Sequence, residues 1–233
     1  MNSQWNYPPP KSQILVPLPW GREERIMKRV DFMSKTSVSN KVKIRRITVT
    51  AVLSALSIVL MATIRFPLFP SAAFYEMEFS DIPILMCSGL FGPVYALVSL
   101  FTVCLIQAIT VSSASGIIGF LMHFLSSGFM VLVIWLYRKK VPGKKGIVLS
   151  TLAGITVMTF VMVPMNMIMV RLFLNIDMMA FLDGYMLVCV GFNIIKSAIN
   201  ISVFNLIIPS LKKEFDKLMG KKEEPAADAP AAE

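Results

Sequence analysis

At 233 residues and 25.9 kDa the chain has room for one domain or one compact bundle of helices. It is 55% hydrophobic and only 16% charged, with a mean hydropathy of +0.67, whereas a water-soluble domain carries about 25% charged residues. Three cysteines and one histidine argue against a disulfide scaffold and a multi-ligand zinc site, and the net charge of +9 is gathered at both ends and in one short loop.

Residues 1–40 are polar, with a proline run at Pro8, Pro9 and Pro10, and are expected to form a cytoplasmic arm. Ile14-Leu15-Val16 is too short and too closely bounded by proline to be the apolar region of a signal peptide. Lys41, Lys43, Arg45 and Arg46 then precede an uncharged run from Ile47 to Ile64. At ~1.5 Å per residue that run just crosses a hydrocarbon core of ~30 Å. Arg65 closes it, and a loop over 66–80 carries Pro67, Pro70, Glu76 and Glu78.

From Ile82 to Tyr137 there is no Asp, Glu, Lys or Arg, a stretch too long for one helix. Gly92-Pro93 divides it once, because proline removes a donor and clashes with the preceding turn. The turn formers Ser112-Ser113-Ala114-Ser115-Gly116 divide it again. Helices are predicted over Asp81–Phe91, Val94–Val111 and Ile117–Tyr137. The first of these spans poorly alone and is expected to tilt or to lie beside a re-entrant loop. A basic turn follows (Arg138, Lys139, Lys140, Lys144 and Lys145 around Pro142-Gly143), then a fifth helix over Ile147–Leu172 and a sixth over Gly184–Ile208. Asp177 and Asp183 lie between those two. Beyond Pro209 the chain turns basic and ends in an acidic Pro/Ala segment, Glu223 to Glu233, expected to be disordered.

The expected fold is thus an all-α integral membrane protein of six transmembrane helices, in the cell membrane. Its parts are an N-terminal arm (1–40), a membrane domain (41–211) and a cytoplasmic, disordered tail (212–233). Six crossings put the basic clusters at 41–46, 138–145 and 212–222 on one side, so the positive-inside rule makes both termini cytoplasmic. The positive charge then reads as a topology signal and a contact for anionic membrane lipid, not for nucleic acid.

Polar groups inside a span are expensive and point to function. Lys196 lies roughly 18 Å into the sixth helix, too deep to snorkel easily. Asn193, Lys196 and Asn200 share one face at i, i+3, i+7 spacing, and Asn166 on the antiparallel fifth helix can meet it. These residues read as a polar pocket open to the outside, or as glue between helices, the latter favoured for Asn200. A second candidate is the loop Tyr75-Glu76-Met77-Glu78-Phe79-Ser80-Asp81, a lid of aromatics and carboxylates in which Ser80 or Asp81 suits a helix N-cap. Asp81 is also a conceivable ion-pair partner for Lys196. His123 has no second ligand at metal spacing and reads as a packing or hydrogen-bonding residue. Cys87, Cys104 and Cys189, and the methionines Met158, Met162, Met165, Met167 and Met169, read as ordinary packing. No P-loop and no hydrolytic triad occurs, so no catalysis and no metal or cofactor is expected. Ala51 and Ala55, extended by Ser54 and Ala62, form a small-residue face that lets another helix approach closely.

Four segments carry a resemblance: Thr50–Leu56 with its Ala-x-x-x-Ala pair, Glu78-Phe79-Ser80-Asp81-Ile82-Pro83, Leu90-Phe91-Gly92-Pro93 and Phe192-Asn193-Ile194-Ile195-Lys196. Over roughly residues 45–210 the chain resembles the substrate-binding (S) components of energy-coupling factor (ECF) vitamin transporters, most closely those specific for riboflavin. The resemblance implies a six-helix protein that captures a vitamin at the outer face. It implies docking of a shared transmembrane coupling subunit on Ala51 and Ala55, with two cytoplasmic ATPases supplying the energy and the S component toppling to release its cargo. It gives Asn193 and Lys196 as a flavin-contacting pair, with Asn166 a plausible third. One departure is Gln107, where similar proteins often carry a basic or other polar residue near the outer end of the third helix. Riboflavin suits such a pocket: Asn and Lys donors can satisfy the polar edge of its flat ring, and Tyr75, Met77 and Phe79 can cover it. An S component for another vitamin is the nearest alternative. A membrane enzyme acting on a lipid or isoprenoid would call for clustered carboxylates such as Glu76, Glu78 and Asp81, and a passive scaffold would not need Lys196 so deep.

Overall fold

The structure is a computed structural model and describes residues 22–72, 75–113, 115–175 and 177–218. The chain divides into two compact units, Met1–Ile44 and Arg45–Glu233. Within the first, residues 22–44 are helical, the beginning of α1 (Arg22–Thr63), so the second half of the expected arm has regular structure; residues 1–21 lie outside the described residues. The second unit holds the rest of α1 and all of the later helices.

After α1 come two two-residue strands, β1 (Phe66–Pro67) and β2 (Glu76–Met77), paired antiparallel with Phe66 opposite Met77. Then follow α2 (Asp81–Phe91), α3 (Pro93–Ile109), α4 (Gly116–Lys140), α5 (Gly143–Leu174), α6 (Met178–Gly184) and α7 (Met186–Leu218). The α1 segment Asn40–Thr63, α4, α5 and α7 are long and apolar enough to cross a membrane, while α2 and α3 are shorter apolar helices. The first helix begins at Arg22 rather than at Ile47; the other expected helix boundaries hold to within a few residues, with two further differences. The stretch holding Asp183 winds into the short α6. And α7 does not stop before Pro209 but runs through it to Leu218, so the first residues of the expected tail are helical. The acidic end lies outside the described residues.

Gly92 separates α2 from α3. It sits at φ 93°, where a side chain would be strained, and Pro93 opens α3 at a position where a missing N–H costs nothing. Helices cannot be driven together by the hydrophobic effect in lipid, so close backbone approach matters more. A Cβ on Gly89 would meet Ile208 at 2.7 Å, and one on Gly154 would meet Ile134 at 2.9 Å. These glycines let α2 close on α7, and α5 on α4.

The main core is formed by Leu53 and Met61 of α1 with residues such as Ile84, Leu100, Met130, Met158 and Phe204 from α2, α3, α4, α5 and α7. A smaller cluster joins Ala72 and Tyr75 of the hairpin to Phe181 of α6 and to Cys189 and Phe192 of α7. This second core seats the α1–α2 loop over one end of the bundle. At the other end, Arg45 of α1 donates to the Leu218 carbonyl at 2.8 Å, and Arg138 of α4 donates to Asn205 of α7. The basic termini of α1, α4 and α7 in this unit therefore share one end, opposite the hairpin.

Candidate functional site

The hairpin end holds a cavity of about 410 Å³. Its walls come from the α1–α2 loop (Arg65, Tyr75, Glu76, Glu78), the α3–α4 turn region (Gln107, Val111, Ser112, Ser115, His123), α5 (Met162, Asn166, Met169) and α7 (Phe192, Asn193, Lys196). Tyr75 and Phe192 stack with ring centroids 5.1 Å apart, giving one wall a flat aromatic surface.

A buried polar network forms the floor. Lys196 Nζ donates to Glu78 Oε1 at 2.9 Å, and Gln107 Nε2 donates to Glu78 Oε2 at 3.3 Å. With the Gln107 amide so oriented, its Oε1 faces His123 Nδ1 at 2.6 Å, so Nδ1 must donate. His123 Nε2 faces Asp81 Oδ1 at 3.2 Å and donates as well. A ring that donates from both nitrogens is an imidazolium. Two cations, Lys196 and His123, therefore stand against two carboxylates, Glu78 and Asp81, and the buried quartet is charge-balanced. At the rim Arg65 pairs with Glu76 and also donates to the Val111 carbonyl and to Ser112 Oγ, both at 3.2 Å.

The segment from Glu78 to Asp81 is anchored from several helices. Ser57 Oγ of α1 donates to the Ser80 carbonyl at 2.7 Å, and Asn200 Nδ2 of α7 donates to the Glu78 carbonyl at 3.3 Å. Burial alone would push the Glu78 carboxyl up, but the Lys196 ammonium, seconded by His123, holds it below the usual carboxylate range.

Of the residues singled out in the sequence, Glu78, Asn166, Asn193 and Lys196 line the cavity together. Asn166 Nδ2 and Asn193 Nδ2 each donate one turn back, to the Met162 and Cys189 carbonyls, both at 2.8 Å. Asn193 Oδ1 is buried without a hydrogen-bond partner among the described residues. Met77, Phe79, Ser80 and Asp81 are not in the cavity wall. Met77 is buried, Phe79 packs on the main core, and Asp81 lies behind His123. Ser80 occupies the N-cap position of α2, yet its hydroxyl makes no capping bond, because the residue is already helical at φ −62°, ψ −28°. The ion-pair partner of Lys196 is Glu78 rather than Asp81, which His123 occupies.

Among the wall residues that escaped the sequence reading as site residues are Arg65, Gln107 and His123. The signal for His123 was its place in a charge-free run that begins directly after Asp81; its partners lie on other helices, so no local spacing could reveal them. Met162 and Met169, read as packing, also face the cavity, whereas Met158 belongs to the core.

Residues 45–208 match the family model for the substrate-specific component of ECF transporters. The chain belongs to that family. It is an integral protein of the cell membrane and a transporter component rather than an enzyme. It is 30% identical over 182 residues to the riboflavin transporter RibU of Streptococcus thermophilus, covering 75% of this chain and 86% of that protein. It is 28% identical over 179 residues to the riboflavin transporter FmnP of Bacillus subtilis, covering 73% of this chain and 93% of that protein. A solved S component of a bacterial ECF transporter superposes with a TM-score of 0.59 at 25% identity, covering 74% of this chain and 98% of that one. The S-component fold thus carries the cavity.

Proposed function

We propose that this chain is the riboflavin-binding component of an ECF importer. The observation that carries the reading is the cavity itself. An aromatic face of Tyr75 and Phe192 lies beside a cluster of polar groups (Asn166, Asn193, Lys196), with Asn193 Oδ1 left as a buried acceptor in need of a donor. The isoalloxazine ring offers a flat surface for the first and an edge of carbonyls and an imide N–H for the second. The names of the similar transporters support the same ligand.

The basic ends of α1, α4 and α7 lie together, so the positive-inside rule supports a cytoplasmic placement for that end and for both termini, with six membrane segments counting α2 and α3. The cavity then opens outward and collects the vitamin from outside. Ala51, Ala55 and Ala62 are exposed on α1 beside Val52, Leu56 and Val59, which supports their role as the docking face for a transmembrane coupling subunit driven by two ATPases. Ser54 is not part of that face: it turns inward to Ser99 at 2.7 Å.

The test is a titration of the detergent-solubilised protein with riboflavin, read by quenching of flavin fluorescence. Saturable binding at one site per chain, weakened in Lys196→Ala, is the expected result. No quenching removes riboflavin as the ligand, and mass spectrometry of the co-purifying small molecule then identifies another vitamin.

A further inference from the structure

At the basic end of the bundle a second cavity, of about 680 Å³, opens between the end of α2, the start of α3, the end of α4 and the Pro209 region of α7. Its floor is apolar, with Leu90, Phe91, Ile134 and Phe204, whereas its polar rim carries Arg138, Lys139 and Lys212 and no carboxylate. The three cations have no ion pair among the described residues. Arg138 donates only to the neutral side chains of Asn205 and Ser150 and stands 4.4 Å over the Phe204 ring. The Lys139 ammonium stands 4.9 Å over the Trp135 ring. Three positive charges around one opening repel each other unless an anion joins them, and a guanidinium with free N–H donors suits phosphate oxygens.

We propose that this cavity binds an anionic phospholipid, with its phosphate among Arg138, Lys139 and Lys212 and one acyl chain on the apolar floor. The site lies where α4 passes from its uncharged run into Arg138, the level at which a helix leaves hydrocarbon for headgroups. Trp135, apolar in body with one N–H, suits that level too. A free phosphate ion would meet the same cations but leave the floor of Leu90, Phe91 and Phe204 unused, which favours a lipid as the source of the anion. The inference does not depend on which vitamin fills the other cavity.

The experiment is native mass spectrometry of the full chain in detergent, supplied with phosphatidylglycerol and phosphatidylcholine of identical acyl chains. Phosphatidylglycerol is expected to be retained in preference. That preference is expected to fall by roughly tenfold or more in Lys139→Gln/Lys212→Gln, since each lysine near an anionic headgroup contributes appreciably. Both lysines are exposed, so the double variant should fold, and unchanged vitamin binding verifies that it has. Equal retention of the two lipids, or an unchanged preference in the double variant, overturns the proposal. So does displacement of the lipid by inorganic phosphate alone. Weaker assembly with the coupling subunit at unchanged lipid preference would make the groove a protein interface instead.

Discussion

At the hairpin end the buried Lys196 and His123 each face a carboxylate within the fold, while at the basic end Arg138, Lys139 and Lys212 have no ion pair among the described residues. Arg138 meets only an amide, a hydroxyl and an aromatic ring, and Lys139 an aromatic ring. The difference follows from depth. A charge closed off from water must be compensated by its own protein, because nothing else can reach it. A charge at the membrane surface can wait for solvent, ions or headgroups. The balanced end is thereby suited to a neutral ligand recognised by shape and hydrogen bonds. The unbalanced end is suited to an anion.

The largest effect is expected from breaking the balance. Lys196→Ala leaves Glu78 buried beside Asp81 with only His123 to compensate both, and removing one partner of a buried pair costs about 3–5 kcal/mol. Thermal unfolding in detergent should show a large drop, and vitamin binding should be weakened. The paired change Lys196→Met/Glu78→Gln removes both charges and should recover most of the stability without recovering binding. If the single and double variants unfold alike, the quartet does not act as a coupled unit.

Next in size is Asn193→Ala. Its Oδ1 has no partner among the described residues, so the unliganded chain loses little, whereas a ligand donor placed there loses its acceptor. Riboflavin affinity should fall about tenfold to a hundredfold, in line with ~1–3 kcal/mol for a buried group left unpaired, at nearly unchanged unfolding temperature. A large loss of apo stability would mark Asn193 as a structural residue instead.

Much of this architecture was legible along the chain. Uncharged runs, Gly92-Pro93 and the serine-rich turn set the end of α1 and the bounds of α2 to α4, because a membrane helix must satisfy its own backbone and breakers end it. The start of α1 at Arg22 was not legible this way. Lys196 and Asn193 were legible because a cation and an amide deep in a span have few reasons to be there. The quartet was not. Glu78 and Lys196 are separated by most of the membrane domain, and Asp81, Gln107 and His123 come from three further helices, so only tertiary packing unites them. Pro209 misled for the opposite reason: proline usually ends a helix, but α7 has neighbours that hold it through the defect.

A smaller effect on the fold, confined to the surface, is expected from Ala55→Leu. Ala55 is exposed on α1, so vitamin binding and unfolding temperature should be unchanged. A helix that packs closely on that face would meet the added bulk at about 1–3 kcal/mol, the usual cost of overpacking. Co-purification with the coupling subunit should fall while the isolated component behaves normally. Normal co-purification would move the docking face elsewhere.

The smallest effect is expected from acid, and its sign follows from Glu78. Its folded-state pKa lies below the ordinary carboxylate value of 4.5, because Lys196 and His123 outweigh the cost of burial. The unfolded chain then takes up a proton first as pH falls. The stability contributed by the ionised carboxyl is fully present above the unfolded value and is lost progressively as pH drops through the folded one. Unfolding in detergent should therefore be flat with respect to this group from neutrality down to about pH 5, and weaken only below it. Glu78→Gln should flatten that acidic limb, since no proton is then taken up at this position. The variant should also be less stable at neutral pH, where Lys196 is left without its carboxylate. An acidic limb of equal slope in Glu78→Gln would assign the acid sensitivity to other carboxylates and leave the balance at the hairpin end indifferent to external pH.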